Sequence, residues 1–195
     1  MNKLFSFSKI ASIATILLLI LKLFIWNLTI LSTTIEIANN IILIILFSYI
    51  YKLSKENSIL KKPSLIGISS MSIFILIIIL NFFLYSYEVF EILSEFFSFA
   101  IPIGLFITFF FYSKFEKNKL KKIIYLIYPS ILILRSIFIL FLDEFCHLIE
   151  EAYGYGNEAY EYSLLFVNSF FKSFYIIEKI SLAIFYYTFS KIYNK

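Results

Sequence analysis

Residues 35–53 read IEIANNIILIILFSYIYKL, and whether this stretch crosses a bilayer decides the topology of the whole chain. Glu36, Asn39 and Asn40 occupy its first turns and leave a shorter apolar run from Ile41 to Tyr51. A membrane helix needs about 20 mainly apolar residues to cross the hydrocarbon core, so hydropathy alone leaves the segment short. The charges on either side of it carry the decision.

Connections on the cytoplasmic side of membrane proteins collect Lys and Arg. Thirteen of the sixteen lysines fall in four groups between apolar runs: Lys3 and Lys9; Lys52, Lys55, Lys61 and Lys62; Lys114, Lys117, Lys119, Lys121 and Lys122; and Lys191 and Lys195. The intervening connections hold acids and no Lys or Arg. They carry Glu36, then Glu88, Glu91 and Glu95, then Asp143, Glu144, Glu150, Glu151, Glu158 and Glu161. Basic and acidic connections alternate strictly only if 35–53 spans. The sequence therefore predicts an all-α, polytopic transmembrane bundle of about six helices with both termini cytoplasmic. Its spans lie near 10–31, 35–53, 65–85, 96–113, 123–142 and 163–189, in one membrane domain covering 1–195.

Composition agrees with lipid as the solvent. The chain is 61% hydrophobic and 15% charged, where soluble domains are about 45–50% apolar and about 25% charged. A soluble domain of this length leaves roughly 30% of its surface exposed and must cover much of it with polar atoms. The opening apolar run, Ile10 to Leu31, exceeds the 7–15 residues of a signal-peptide core and is followed by no small-residue cleavage site, so it reads as an uncleaved span. The net charge of +4 sits in clusters, not in a stripe, which argues against a nucleic-acid partner. Lipid is the expected surround, with a protein subunit or a small-molecule solute as further partners. The abundance of Ile, Phe, Lys and Asn beside a single Arg suits an A/T-rich genome, and the location expected is the plasma membrane of a prokaryote.

Ionisable groups near mid-membrane cost at least about 2.5–3.5 kcal/mol each on insertion scales and mark a cavity, a pair or a functional site. They are Lys22, Arg135, Lys172, Glu178 and Lys179. Counted at 1.5 Å per residue from the outer span ends, Lys22, Arg135 and Lys172 lie at about 13, 10 and 12 Å. Three cations at one depth require negative charge nearby, which makes them a candidate solute or anion site. Glu36, Asp143 and Glu144 are an internal supply of that charge, and the acidic exterior disfavours a free anion at the entrance. Glu178 and Lys179 lie about 10 Å deeper. Glu178 is a candidate coupling carboxylate; Lys179, seven residues from Lys172 and on a face that Glu178 does not share, is free to snorkel toward the inner surface.

The stretch from Asp143 to Ser163 holds the only His and the only Cys. Read as helix, Glu144, His147 and Glu151 share a side with the E-x-x-H spacing of di-metal carboxylate proteins, a weak metal candidate because such sites need a second copy. Cys146 beside His147 suggests an activated thiol, although helical neighbours diverge by about 100°. One cysteine excludes an internal disulfide and a paired-cysteine zinc site. Neither H-E-x-x-H, G-x-S-x-G nor a phosphate-cradling glycine loop occurs, so no catalytic residues and no cofactor are expected. The functional classes rank as a small transporter or substrate-binding transporter subunit with an outward-facing polar cavity, then a non-catalytic accessory, assembly or immunity-type protein, then an intramembrane enzyme.

Overall fold

The computed structural model describes residues 2–26, 29–54, 59–84, 88–114, 116–153 and 157–190, with side chains for 6–26, 30–54, 59–80, 96–114, 116–142, 144–149, 151–152 and 161–189. Several charges counted above for topology lie outside these limits (Lys3, Lys55, Lys191, Lys195, Glu88, Glu91, Glu95, Asp143, Glu150 and Glu158). Seven helices follow in order: α1 (Asn2–Phe24), α2 (Thr29–Leu53), α3 (Lys61–Leu84), α4 (Glu88–Lys114), α5 (Lys119–Leu140), α6 (Leu142–Tyr153) and α7 (Asn157–Ser190). No strand occurs among the described residues. Among the described residues, five helices, α1 to α5, are long and apolar enough to cross a membrane. The stretch 35–53 lies within α2.

Two boundaries differ from expectation. The first apolar run does not continue to Leu31: α1 stops at Phe24, Ile25 N–H donates to the Leu21 carbonyl at 3.2 Å, and Thr29 opens α2. Hydropathy merges the end of one apolar helix with the start of the next. The acidic connection before the last helix is itself helical as α6, and α7 begins at Asn157, six residues before the expected Ser163. At 34 residues, α7 is about 51 Å long, well beyond a ~30 Å hydrocarbon core.

Each long helix turns apolar side chains outward. On α1, Ile13, Leu17 and Leu21 are exposed while Ser8, Ala11, Thr15 and Lys22 are buried. This is the reverse of a water-soluble helix and is what a helix does when lipid is outside and polar contacts are inside.

The six long helices form a closed ring in the order α1, α2, α3, α4, α5, α7, with α7 returning to α1; α6 packs on α7 and α5. Neighbours run antiparallel. Ser12 Oγ of α1 donates to the Ala183 carbonyl of α7 at 2.9 Å, and Thr108 Oγ1 of α4 donates to the Pro63 carbonyl of α3 at 3.0 Å. The described lysines of the α2–α3 and α4–α5 connections (Lys52, Lys61 and Lys62; Lys114, Lys117, Lys119, Lys121 and Lys122) therefore share one end of the ring. In that half the lumen is packed with aromatic rings, centred on Phe109, which lies 4.5 Å from Phe185, 5.7 Å from Tyr128 and 5.8 Å from Phe47 between centroids.

Pro102 lacks the N–H that would bond the Ser98 carbonyl one turn earlier. Ser136 Oγ of α5 supplies the missing donor at 2.8 Å, so the helix interruption is repaired by a neighbour. Two helix glycines allow close packing: a Cβ on Gly67 would stand 2.7 Å from the buried Phe47 ring, and one on Gly104 would strike Ser70 Oγ.

Ser136→Ala should destabilise the detergent-solubilised protein by about 0.5–1.5 kcal/mol, the net worth of one hydrogen bond. In a Pro102→Ala background, where residue 102 again offers an N–H to Ser98, the same change should cost distinctly less. A double-mutant cycle of thermal melts checks this, and strictly additive costs would refute the repair.

Candidate functional site

The half of the ring away from the lysines is built differently. Lys22, in the last turn of α1, reaches Glu36 on α2 with Nζ 2.8 Å from Oε1. Arg135 of α5 donates from Nη1 to Glu178 Oε2 of α7 at 3.1 Å, and Lys179 Nζ donates to the other oxygen, Oε1. Glu178, Lys179 and Lys22 are all buried. A lone carboxylate in such surroundings would face a desolvation cost of several kcal/mol; two cations and hydrogen bonds to both oxygens offset it here.

Tyr175 joins the two groups. Lys22 Nζ lies 4.0 Å and Lys179 Nζ 5.0 Å from its ring centroid, cation–π distances for both. Trp26, just past α1, meets the Tyr175 ring edge-on at 5.7 Å and has Lys22 Nζ at 5.4 Å from its own ring. The five charges, three cations (Lys22, Arg135, Lys179) and two anions (Glu36, Glu178), leave a net +1.

Two cavities open among these groups. A wider one of about 300 Å³ is lined by Lys22, Trp26, Ser32, Thr33, Phe171 and Tyr175. A narrower one of about 100 Å³ lies in the lumen beside Glu178 and Lys179, walled by residues including Met71, Phe74, Ile101, Leu105 and Leu132. Glu36 and Arg135 line both, so they stand where the cavities meet.

Of the three cations expected at one depth, Lys22 and Arg135 face the wider cavity and Lys172 does not. Lys172 is exposed, with Nζ 6.0 Å from the Trp26 ring. The depths were counted from span ends that the helices do not have: α1 ends two residues after Lys22, and α7 starts six residues earlier than assumed. Glu36 compensates Lys22, as one of the expected internal anions. Arg135 takes Glu178, not Glu144, because its long side chain crosses the interval that residue counting places between them; Asp143 lies outside the described side chains.

Lys179 does not snorkel, and Glu178 does not stand apart from it. Their Cβ atoms diverge on the helix, but the flexible lysine stem folds its ammonium back onto the neighbouring carboxylate. Trp26 carries no signal of a site residue in the sequence, whereas Tyr175 does: it lies on the helix face of Lys172 and Lys179, a polar stripe expected to turn toward other helices.

The weak metal candidates Glu144, His147 and Glu151 are all exposed on α6, and Cys146 is half-buried. Among the described residues no group of three or more His, Cys, Asp or Glu side chains converges as a metal site would require. Comparison of the chain with family models, characterised proteins and solved structures finds no match.

Glu178→Gln removes the one anion facing buried Lys179 and half-buried Arg135 and should lower stability by about 3 kcal/mol. Lys179→Met leaves Arg135 and Glu178 as a neutral pair and should cost less. Melting curves of the two purified variants give the order, and an equal or reversed order would show that the triad is not organised around Glu178.

Proposed function

We propose that the chain is a multi-pass integral membrane protein with six spans and both ends in the cytoplasm, acting as a small transporter or as the solute-binding subunit of one. The observation that carries this reading is the unequal filling of the ring: aromatic rings plug the lumen at the lysine-rich end, and two cavities open the other half. The positive-inside rule puts the lysine-rich end in the cytoplasm, so the open half faces outward.

The sixth span is the part of α7 level with the other helices, whose Tyr175, Glu178 and Lys179 are buried in the ring and not presented to lipid. Solute enters by the wider cavity, lined with Trp26 and Tyr175, and passes Glu36 and Arg135 to reach the narrower one. Glu178, held by two cations at the inner limit of that path, is the group that exchanges partners, or a proton, when solute arrives. Phe109 and its neighbours close the cytoplasmic side.

A second reading, a non-catalytic accessory protein docked on a partner, draws support from the exposed apolar side chains of α6 and of the first turns of α7, among them Leu148 and Leu165. Its expectation differs, because docking requires no water-filled path.

Cysteine substitution separates the two readings. In a Cys146→Ser background, Thr33→Cys and Leu132→Cys should react with a membrane-impermeant methanethiosulfonate applied from outside. Lipid-facing Leu17→Cys and core Leu182→Cys should stay unreacted. Protection of both Thr33→Cys and Leu132→Cys would remove the case for an outward path.

A further inference from the structure

Resting on that transport reading, we infer that the solute is a small monocarboxylate, its carboxylate taken by the Arg135 guanidinium where the two cavities meet and its short apolar tail lodged in the narrower one.

Charge selects the sign. The Lys22, Glu36, Arg135, Glu178 and Lys179 cluster carries one cation more than it has anions, and a desolvated excess charge is stabilised by a counter-charge. One negative charge brings the cluster to neutrality; a dianion overshoots, and a cation doubles the imbalance.

Geometry selects the group. Arg135 touches Glu178 through Nη1 alone. A guanidinium offers five N–H donors in a planar fork that matches a carboxylate in two-point contact, so Nη2 and Nε remain available for a second acid. Its side chain is also the most open of the five at 31% exposure, against 26% for Glu36, 3% for Glu178 and 5–6% for Lys179 and Lys22. Arg135 is thus the cation of the cluster most accessible to a solute.

The walls select the remainder of the molecule. Beyond Arg135 the narrower cavity presents Met71, Phe74, Ile101, Leu105 and Leu132 beside Asn40, Tyr128 and Glu178, so a short apolar tail has a wall to lie against, while the Glu178 carboxylate disfavours a second negative charge. At about 100 Å³ the space falls below the roughly 150 Å³ void that accepts benzene in an engineered protein core, so the tail has a few carbons and no large ring. The acidic outer connections slow the approach of an anion, but their field decays over about 8 Å at physiological salt and acts on the rate of entry more than on affinity.

Trp26 is the chain's one tryptophan and lines the entrance, which makes its fluorescence the reporter. Sodium butyrate titrated into the detergent-solubilised full chain at constant ionic strength should give a saturable change, with butylammonium chloride and neutral butanol giving none. Arg135→Gln, which still leaves Glu178 paired with Lys179, should weaken butyrate by about tenfold or more, the worth of a charge-assisted hydrogen bond. Arg135→Lys should fall between. The inference is overturned if wild type ignores butyrate, if butylammonium binds as tightly, or if Arg135→Gln binds butyrate unchanged. The ligand comparison in wild type needs no variant to fold. Reaction of Thr33→Cys and Leu132→Cys from outside without butyrate binding would reject this ligand and leave the transport reading standing; no reaction at either would reject that reading too.

Discussion

A carboxylate that cannot reach water has to find its counter-charges within the protein, and the arrangement around Glu178 follows from that requirement. Arg135 must come from α5 and Lys179 from the next residue of α7, which fixes the facing and the relative height of the two helices. Tyr175, one turn away on α7, then has its ring between Lys179 and Lys22, and Lys22 is in turn tied to Glu36 on α2. Four of the six ring helices are thus registered through one set of charges. Removing Glu178 strands two cations at once, whereas removing either of its cations leaves a pair, so the set depends most on its central carboxylate.

Packing completes what the charges begin. Lipid outside gives apolar side chains no reason to turn inward, so close approach between helices depends on small residues and on polar repairs. Gly67 lets α3 approach the Phe47 ring, Ser12 bonds the backbone of α7, and Ser136 answers the carbonyl that Pro102 leaves open. Below the charges the lumen is filled by rings that meet mostly edge-on or tilted around Phe109, a filling that excludes water without placing a further charge in the path.

Much of the helical frame was legible in the sequence because it is written in long apolar runs and in the alternation of lysine and acid. The marginal stretch with Glu36, Asn39 and Asn40 was recovered from charge bookkeeping, and α2 contains it. What hydropathy could not show was a turn inside one apolar run, which is why Lys22 seemed deep in a helix whose end it nearly occupies. The identity of the unusual residues was equally legible: Lys22, Arg135, Glu178 and Lys179 stand out as charges among Ile and Phe. Their pairing was not, since Lys179 reaching back to Glu178 depends on a side-chain path that a helical wheel does not contain, and Arg135 meeting Glu178 depends on the relative heights of two helices. Trp26 lacked even that signal, because an aromatic residue near a span end reads equally well as an interfacial anchor.

The helices differ in stiffness. Proline interrupts α4 at Pro102 and α5 at Pro129, whereas α7 runs 34 residues from Asn157 to Ser190 without proline or glycine. Its first turns are buttressed by α6, and the same uninterrupted rod carries Tyr175, Glu178 and Lys179. In mechanical terms α7 is a mast, and α4 and α5 are jointed staves leaning on it. The protein thus sets its three α7 site residues on an unbroken helix and places its two interior prolines in the neighbouring wall of the ring.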